Sequence, residues 1–199
     1  MPRKHFFTLR TLFVFILGCL SVASVFLIQV PIQQALSKTT LMFTPLAFPK
    51  ALLLAMVAGF VQELFKALPP FIIEDKVIGG VVSGLGFGMT EAVLILVNAI
   101  ILHSLSSVVL LERFFAIIFH VSSTGIVMWG YTKKKFILSY LIISIIHGII
   151  DTFPFLYQFG KKINPAVGEL IAALVSISLL ITFVYLYKRK TKLEENVTL

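Results

Sequence analysis

The chain contains six apolar runs, each about as long as a bilayer's hydrocarbon core requires. The runs cover residues 11–31, 47–68, 77–102, 109–131, 136–156 and 165–187. A helix of about 20 residues, rising about 1.5 Å per residue, crosses roughly 30 Å of hydrocarbon. Inside a membrane every backbone polar group needs an internal partner, which helices provide. The sequence therefore predicts an all-α, polytopic membrane helix bundle with about six transmembrane helices.

The composition agrees with a membrane protein. Of the 199 residues, 58% are hydrophobic and 13% are charged, whereas soluble domains carry about 25% charged residues. The length suits a single transmembrane domain over residues 1–199, with its motifs at about 59–156. The formal net charge of +8 is typical of basic cytoplasmic loops. We therefore expect the lipid bilayer as a partner and no nucleic acid.

Basic residues predict the orientation, because cytoplasmic loops of membrane proteins collect Lys and Arg. With both termini inside, 12 of the 17 basic residues lie inside. The other five are Lys38, Lys50, Arg113, Lys161 and Lys162. An even number of spans also requires both termini on one side, so we expect both termini in the cytoplasm. We expect the membrane to be a prokaryotic cell membrane. The alternative is that the first run is a cleaved signal sequence, since a basic start precedes it.

Ionisable side chains inside the apolar runs are the informative residues. Each costs several kcal/mol in hydrocarbon unless it faces the bundle interior or water. The candidate catalytic residues are Glu63, Glu91, His120, His147 and Asp151. The candidate supporting residues are Gln62, Lys66, Glu112 and Arg113. Because they come from the second to fifth runs, we expect them to meet in one wet cavity.

Helical spacing places several of these side chains on shared faces. Glu63 and Lys66 lie three residues apart, and a local ion pair at the cytoplasmic boundary, with Lys66 snorkelling, is the structural alternative. His147 and Asp151 lie four residues apart near the middle of the fifth run. Gly148 is expected to leave open space beside the imidazole. This pair suits a proton relay, a metal site or a hydrolytic site.

The third and fourth runs contribute a carboxylate and an imidazole. A stripe of small residues, which lets a neighbouring helix approach closely, consists of Gly80, Gly84 and Gly88. Glu91 lies one turn further on the same side. Glu112 and His120 share a face of the fourth run, and Glu112 with Arg113 suits an ion pair at the outer boundary. The histidine is therefore expected to face other polar groups.

Carboxylates beside imidazoles are the groups that activate water. In our first hypothesis Glu91 and His120 hold the water, aided by Glu63, and Lys66 balances the carboxylate charge. A second imidazole and carboxyl, His147 and Asp151, would stabilise a developing oxyanion. The same chemistry can bind a divalent metal such as zinc, and its ligands would be Glu91, His120, His147 and Asp151.

Two other uses of the cluster were compared with hydrolysis by activated water. No serine or cysteine has the setting of a nucleophile, since helical geometry turns Ser122 away from His120. A small proton or cation transporter would show an internal repeat with interrupted helices. The chain has Pro69 and Pro70 but no matching break in its other half, so transport ranks last.

The ordered motifs resemble those of the PrsW-type intramembrane proteases. They read Glu63-Leu64-Phe65-Lys66, Phe87 to Glu91, and His147 to Asp151. The stretch 84–92, and Glu112-Arg113 followed by His120, are similar to the YhfC family. That family is grouped with the CAAX-prenyl endopeptidases and bacteriocin-immunity membrane proteins. The resemblance covers about residues 59–156.

The resemblance implies an intramembrane endopeptidase of glutamic type, or metallo-type in older naming, that cleaves a membrane protein or peptide substrate. In the wider group a Glu-Glu pair opens the first motif, and its first Glu is the proposed base. Here Gln62 stands in that place, and glutamine cannot take a proton from water at neutral pH. Either Glu63 or Glu91 is then the base, or the chain is a catalytically impaired relative that acts as a membrane binding or immunity protein.

Overall fold

The computed structural model describes residues 9–39, 47–159 and 164–197, which are helical apart from short turns. The helical elements, in chain order, are α1 (Leu9–Ser21), a π-helical segment (Val25–Gln29), α2 (Val30–Ser37), α3 (Ala47–Ala67), a 3₁₀ turn (Pro69–Ile72), α4 (Lys76–Ile101), α5 (Ser107–Thr132), α6 (Phe136–Gln158) and α7 (Pro165–Val197). Six stretches are long and apolar enough to cross a membrane, the first being Leu9–Ser37 as a whole. This confirms the predicted all-α membrane bundle.

The first span is longer than predicted. It continues beyond residue 31 to Ser37, through the π-helical segment. The side-chain amide of Gln33 donates to the backbone oxygen of Leu54 in α3, 2.8 Å away. Four of the basic residues used for the orientation, Arg3, Lys4, Lys161 and Lys162, lie outside the described residues. The cytoplasmic placement of both termini therefore stays a prediction.

Helix α4 lies between α1 and α5 with its backbone against theirs. It is helical despite five glycines, each of which lowers helix propensity by about 1 kcal/mol relative to alanine, because a membrane-embedded backbone has to close its own hydrogen bonds. A Cβ added at Gly84 would lie 2.3 Å from the backbone oxygen of His120 in α5. One added at Gly86 would lie 2.4 Å from that of Phe15 in α1. The close approach predicted from the glycine stripe is confirmed.

Helices α3 and α6 form a second pair with similarly close backbones. A Cβ added at Gly59 would lie 2.3 Å from the backbone oxygen of Ser144. A Cβ added at Gly148 would lie 2.7 Å from the sulfur of Met56. The prediction that Gly148 leaves open space beside His147 is therefore wrong, because a methionine of α3 fills that side of the glycine.

The C-terminal end of α3 is packed against α4. Pro69, which lacks a backbone N–H, opens the 3₁₀ turn just after the helix ends. Asp75 caps α4 by accepting hydrogen bonds from two backbone N–H groups. The hydroxyl of Ser83 in α4 donates to the backbone oxygen of Lys66, 2.7 Å away. The last turn of α3 is therefore bound to α4.

The apolar side chains divide between a core and a lipid-facing surface. The main buried cluster contains Ala67, Phe119, Val127, Met128, Ile143 and Leu179. Large side chains such as Val93, Leu111 and Ile137 are more than half exposed. In a membrane span this exposed surface faces lipid, which is as apolar as the core.

We expect Gly84→Ala to lower the free energy of unfolding by about 1–3 kcal/mol, since the new methyl group forces the backbones of α4 and α5 apart. Unfolding of the detergent-solubilised protein, followed by circular dichroism, measures this change. Met89→Ala, on an exposed part of the same helix, is the control and should change stability by no more than about 0.5 kcal/mol. Equal effects of both variants would contradict the close contact.

Candidate active site

A buried ion pair lies at the centre of the bundle. The Nζ atom of Lys66 is 2.6 Å from Oε1 of Glu63, and both side chains are completely buried. They lie one turn apart on α3, as the sequence predicted. Lys66 does not snorkel, however, because its side chain is completely enclosed by protein. The snorkelling part of the structural alternative is therefore wrong, whereas the local ion pair is present.

The same ammonium group connects α3 to α5. Lys66 Nζ lies 2.7 Å from Nδ1 of His120. An ammonium group can only donate, so Nδ1 accepts this hydrogen bond and the ring hydrogen lies on Nε2. His120 Nε2 in turn lies 3.0 Å from Oε2 of Glu91 in α4. A continuous series of hydrogen bonds thus joins Glu63, Lys66, His120 and Glu91 across three helices.

The second imidazole approaches Glu63 from α6. His147 Nδ1 lies 2.8 Å from Glu63 Oε1. On the other edge of the ring, Nε2 lies 3.4 Å from Oδ2 of Asp151, one turn further along α6. The ring centroids of His120 and His147 are 5.5 Å apart. The five predicted catalytic residues are therefore brought together.

Arg113 joins the outer part of the cluster. Its Nη1 atom lies 3.4 Å from Glu91 Oε2, and its Nε atom donates to Glu112, 2.7 Å away. The sequence predicted a boundary ion pair of Glu112 with Arg113, and the structure contains this pair. The Arg113 guanidinium also contacts Glu91, the carboxylate that contacts His120.

The three carboxylate side chains of the cluster differ in their exposed fraction. The Glu63 side chain is 0% exposed, whereas those of Glu91 and Asp151 are 20% and 30% exposed. The side chains of Glu91 and Asp151 are therefore open to the surroundings of the cluster, whereas that of Glu63 is enclosed. The exposed edge of the cluster lies at these two carboxylates, each beside one histidine.

Two residues beside the cluster were missed in the sequence. Ser123 donates to Glu63 Oε1 at 3.3 Å and lies 3.5 Å from Lys66 Nζ. Phe119 packs against His147, with ring centroids 4.8 Å apart. Ser123 lies three residues after His120, on a neighbouring part of the helix surface, and Phe119 lies one turn before Ser123. That neighbourhood was the available signal.

Gln62 lies apart from the charged cluster. Its side chain is buried, and Nε2 donates to Oε1 of Gln29, 3.0 Å away. Its own Oε1 atom has no hydrogen-bond partner among the described residues. Gln29 belongs to the π-helical segment of the first span, and it was also missed. A glutamine inside an otherwise apolar run was the signal that could have found it.

Residues 102–172 match the model of the YhfC intramembrane metalloprotease family. The match covers α5, α6 and the first residues of α7, and thus includes His120, His147 and Asp151. The YhfC match does not extend to α3 or α4. No curated protein and no solved structure matches the chain. The match and the six apolar helices together identify an integral membrane protein.

The YhfC description implies a metal ion. The ligands suggested by the sequence are Glu91, His120, His147 and Asp151. Among the residues that the structure describes, no group of three or more His, Cys, Asp or Glu side chains is placed to hold a metal ion. The Lys66 ammonium donates to Nδ1 of His120, so Nε2, the nitrogen that faces Glu91, carries the ring hydrogen and has no lone pair for a metal. The suggested ligands therefore do not fit a metal ion in this arrangement.

We expect Lys66→Met to lower the free energy of unfolding by about 3–5 kcal/mol, because it leaves the Glu63 carboxylate buried without a cation. The double variant Glu63→Gln/Lys66→Met removes both charges and should lose less stability than Lys66→Met alone. Denaturant titration in detergent compares the two variants, with Lys133→Met on an exposed loop as control. A double variant less stable than Lys66→Met would contradict the ion pair.

Proposed function

We propose that this chain is an intramembrane endopeptidase that cleaves membrane-embedded proteins or peptides. The observation that carries the proposal is the cluster of carboxylates and imidazoles from four helices, with its exposed edge at Glu91 and Asp151. The YhfC match on α5 and α6 supports the same reaction. Membrane-embedded substrates are the natural partners, because the cluster lies within spans of the bundle.

In this proposal Glu91 activates the attacking water. Its carboxylate is accessible, and one oxygen is held by His120 Nε2. Glu91 would take a proton from water as the oxygen attacks the peptide carbonyl, and would pass that proton to the leaving amine. Glu63, which was considered as an aid to the base, is better suited to hold other groups, because it is completely buried.

The oxyanion would be stabilised from the α6 side. His147 and Asp151 border the exposed edge opposite Glu91, and a proton on His147 Nε2 or on Asp151 would donate to the developing charge. Glu63 contacts the other nitrogen of the His147 ring and fixes its orientation. The peptide carbonyl would thus lie at the exposed edge, between Glu91 and Asp151. Arg113, which is itself paired with Glu112, would hold Glu91.

Glu91→Gln should lower the rate of peptide cleavage by about 100- to 10,000-fold, which is the usual contribution of a positioned base. His147→Ala should lower it by about 100- to 1,000-fold, as the loss of an oxyanion donor does. The measurement uses purified protein in lipid vesicles with a pooled set of single-span membrane proteins. Mass spectrometry identifies and counts the cleavage products.

Two substitutions outside the cluster serve as matched controls. Glu74→Gln changes an exposed carboxylate next to α4, and His103→Ala removes an exposed histidine. Both should cleave at the wild-type rate. If Glu91→Gln and His147→Ala cleaved as fast as these controls, the proposed roles would be refuted.

A catalytically impaired binding protein is the second candidate function, and Gln62 is the observation that favours it. The residue offers a neutral amide where the wider protease group has its proposed base. Its partner is another amide, Gln29, so a neutral contact joins the first span to α3. In this candidate the same cluster would bind a membrane partner or peptide without hydrolysing it.

Gln62→Glu separates the two candidates. If Glu91 is the base, the wild-type protein cleaves and Gln62→Glu leaves the rate close to wild type, because residue 62 contacts Gln29 and not the Glu91 carboxylate. Gln34→Glu, at an exposed position of α2, is the control for added charge. Cleavage by neither wild type nor Gln62→Glu would favour the binding protein.

A further inference from the structure

We propose that the Lys66 ammonium occupies the place that a metal ion would take in this cluster, so that the site works without a divalent cation. The statement about cleavage rests on the proposed function, whereas the statement about cation binding does not. It starts from the failure of the predicted metal ligands to form a metal-binding group. The cluster already contains a cation at its centre, and that cation belongs to the chain.

The neighbours of Lys66 Nζ are of the kinds that bind metal ions. They are Glu63 Oε1 at 2.6 Å, His120 Nδ1 at 2.7 Å and Ser123 Oγ at 3.5 Å. Carboxylate oxygen and imidazole nitrogen are typical zinc ligands. An ammonium group carries three N–H donors, and three acceptor atoms surround it here. The ammonium thus occupies the position from which a metal could bind this oxygen and nitrogen.

The remaining surroundings of Nζ suit an ammonium better than a divalent metal. The ring centroids of Phe87 and Phe119 lie 5.2 Å and 5.7 Å from it. Aromatic faces attract an organic cation, but they provide no lone pair to complete a tetrahedral zinc site. The Lys66 side chain is also 0% exposed, so no water from outside reaches this position to serve as a fourth ligand.

Lys66 also orders its neighbours in the cluster. It is paired with Glu63 and contacts Nδ1 of His120. Lys66 is a positioning residue in this arrangement, because its hydrogen bond to Nδ1 directs the Nε2 hydrogen of His120 towards Glu91.

The first test measures metal in the purified wild-type protein by inductively coupled plasma mass spectrometry, before and after incubation with zinc. We expect substoichiometric metal in both samples and no loss of thermal stability with a chelator. Stoichiometric zinc that disappears in both Glu91→Ala and His147→Ala would overturn the proposal. These readouts need no hydrolysis, so they stand even if the wild-type protein cleaves nothing and the proposed function fails.

The second test restores the cation to Lys66→Ala. We expect this variant to cleave about 10- to 100-fold more slowly, the usual effect of losing a group that orients a site residue, and to melt at a lower temperature. n-Propylammonium should raise both the rate and the melting temperature. Tetramethylammonium at the same ionic strength should not, because it has no N–H donor.

Matched variants keep this second test decisive. Lys133→Ala, on an exposed loop, should show the wild-type melting temperature and no response to n-propylammonium. If Lys66→Ala does not fold, Lys66→Arg retains a cation and should remain folded and free of metal, whereas Lys66→Met should melt lower than Lys66→Arg. Equal responses of folded Lys66→Ala to the two ammonium ions, or equal melting of Lys66→Arg and Lys66→Met, would overturn the proposal.

Discussion

The contact of the Lys66 ammonium with Glu63 and His120 is the interaction on which the site depends. A charge inside a membrane bundle is tolerated only when other groups compensate it, and this lysine is compensated by a carboxylate of its own helix. Its second contact crosses to α5 and determines which nitrogen of His120 carries the hydrogen. Through that ring it also affects Glu91. One buried nitrogen atom therefore connects side chains of α3, α4 and α5.

Much of the architecture could be predicted from the sequence, because the rules involved are local. Twenty apolar residues identify a span wherever they occur, and the glycine stripe of α4 predicts a close neighbour without naming it. The complete burial of Lys66 could not be predicted, since it depends on how the end of α3 packs against α4 and α5. The filling of space beside Gly148 by Met56 likewise depends on a partner helix far away in the sequence.

The residues that form the site could be predicted from an energetic argument, whereas the hydrogen bonds between them could not. Ionisable residues in apolar runs had to face one another, and Glu63, Glu91, His120, His147 and Asp151 do lie together. Which atoms pair is a matter of helix rotation and stagger, which spacing within one helix does not specify. Ser123 and Gln29 had signals in the sequence, but their partners, Glu63 and Gln62, lie on another helix and could not be named from it.

The glycine contacts form two closely packed pairs of helices, α3 with α6 and α4 with α5, here called the two halves. Where backbone touches backbone, no side chain can rotate to absorb a displacement, so we expect a shift of one helix to carry its partner with it. Glu63, His147 and Asp151 belong to the first half, and Glu91 and His120 to the second. Any hinge-like parting of the halves would draw the two imidazoles away from each other and stretch the Lys66–His120 contact between them. Such a gap would open between the residues proposed to carry out the two halves of the reaction.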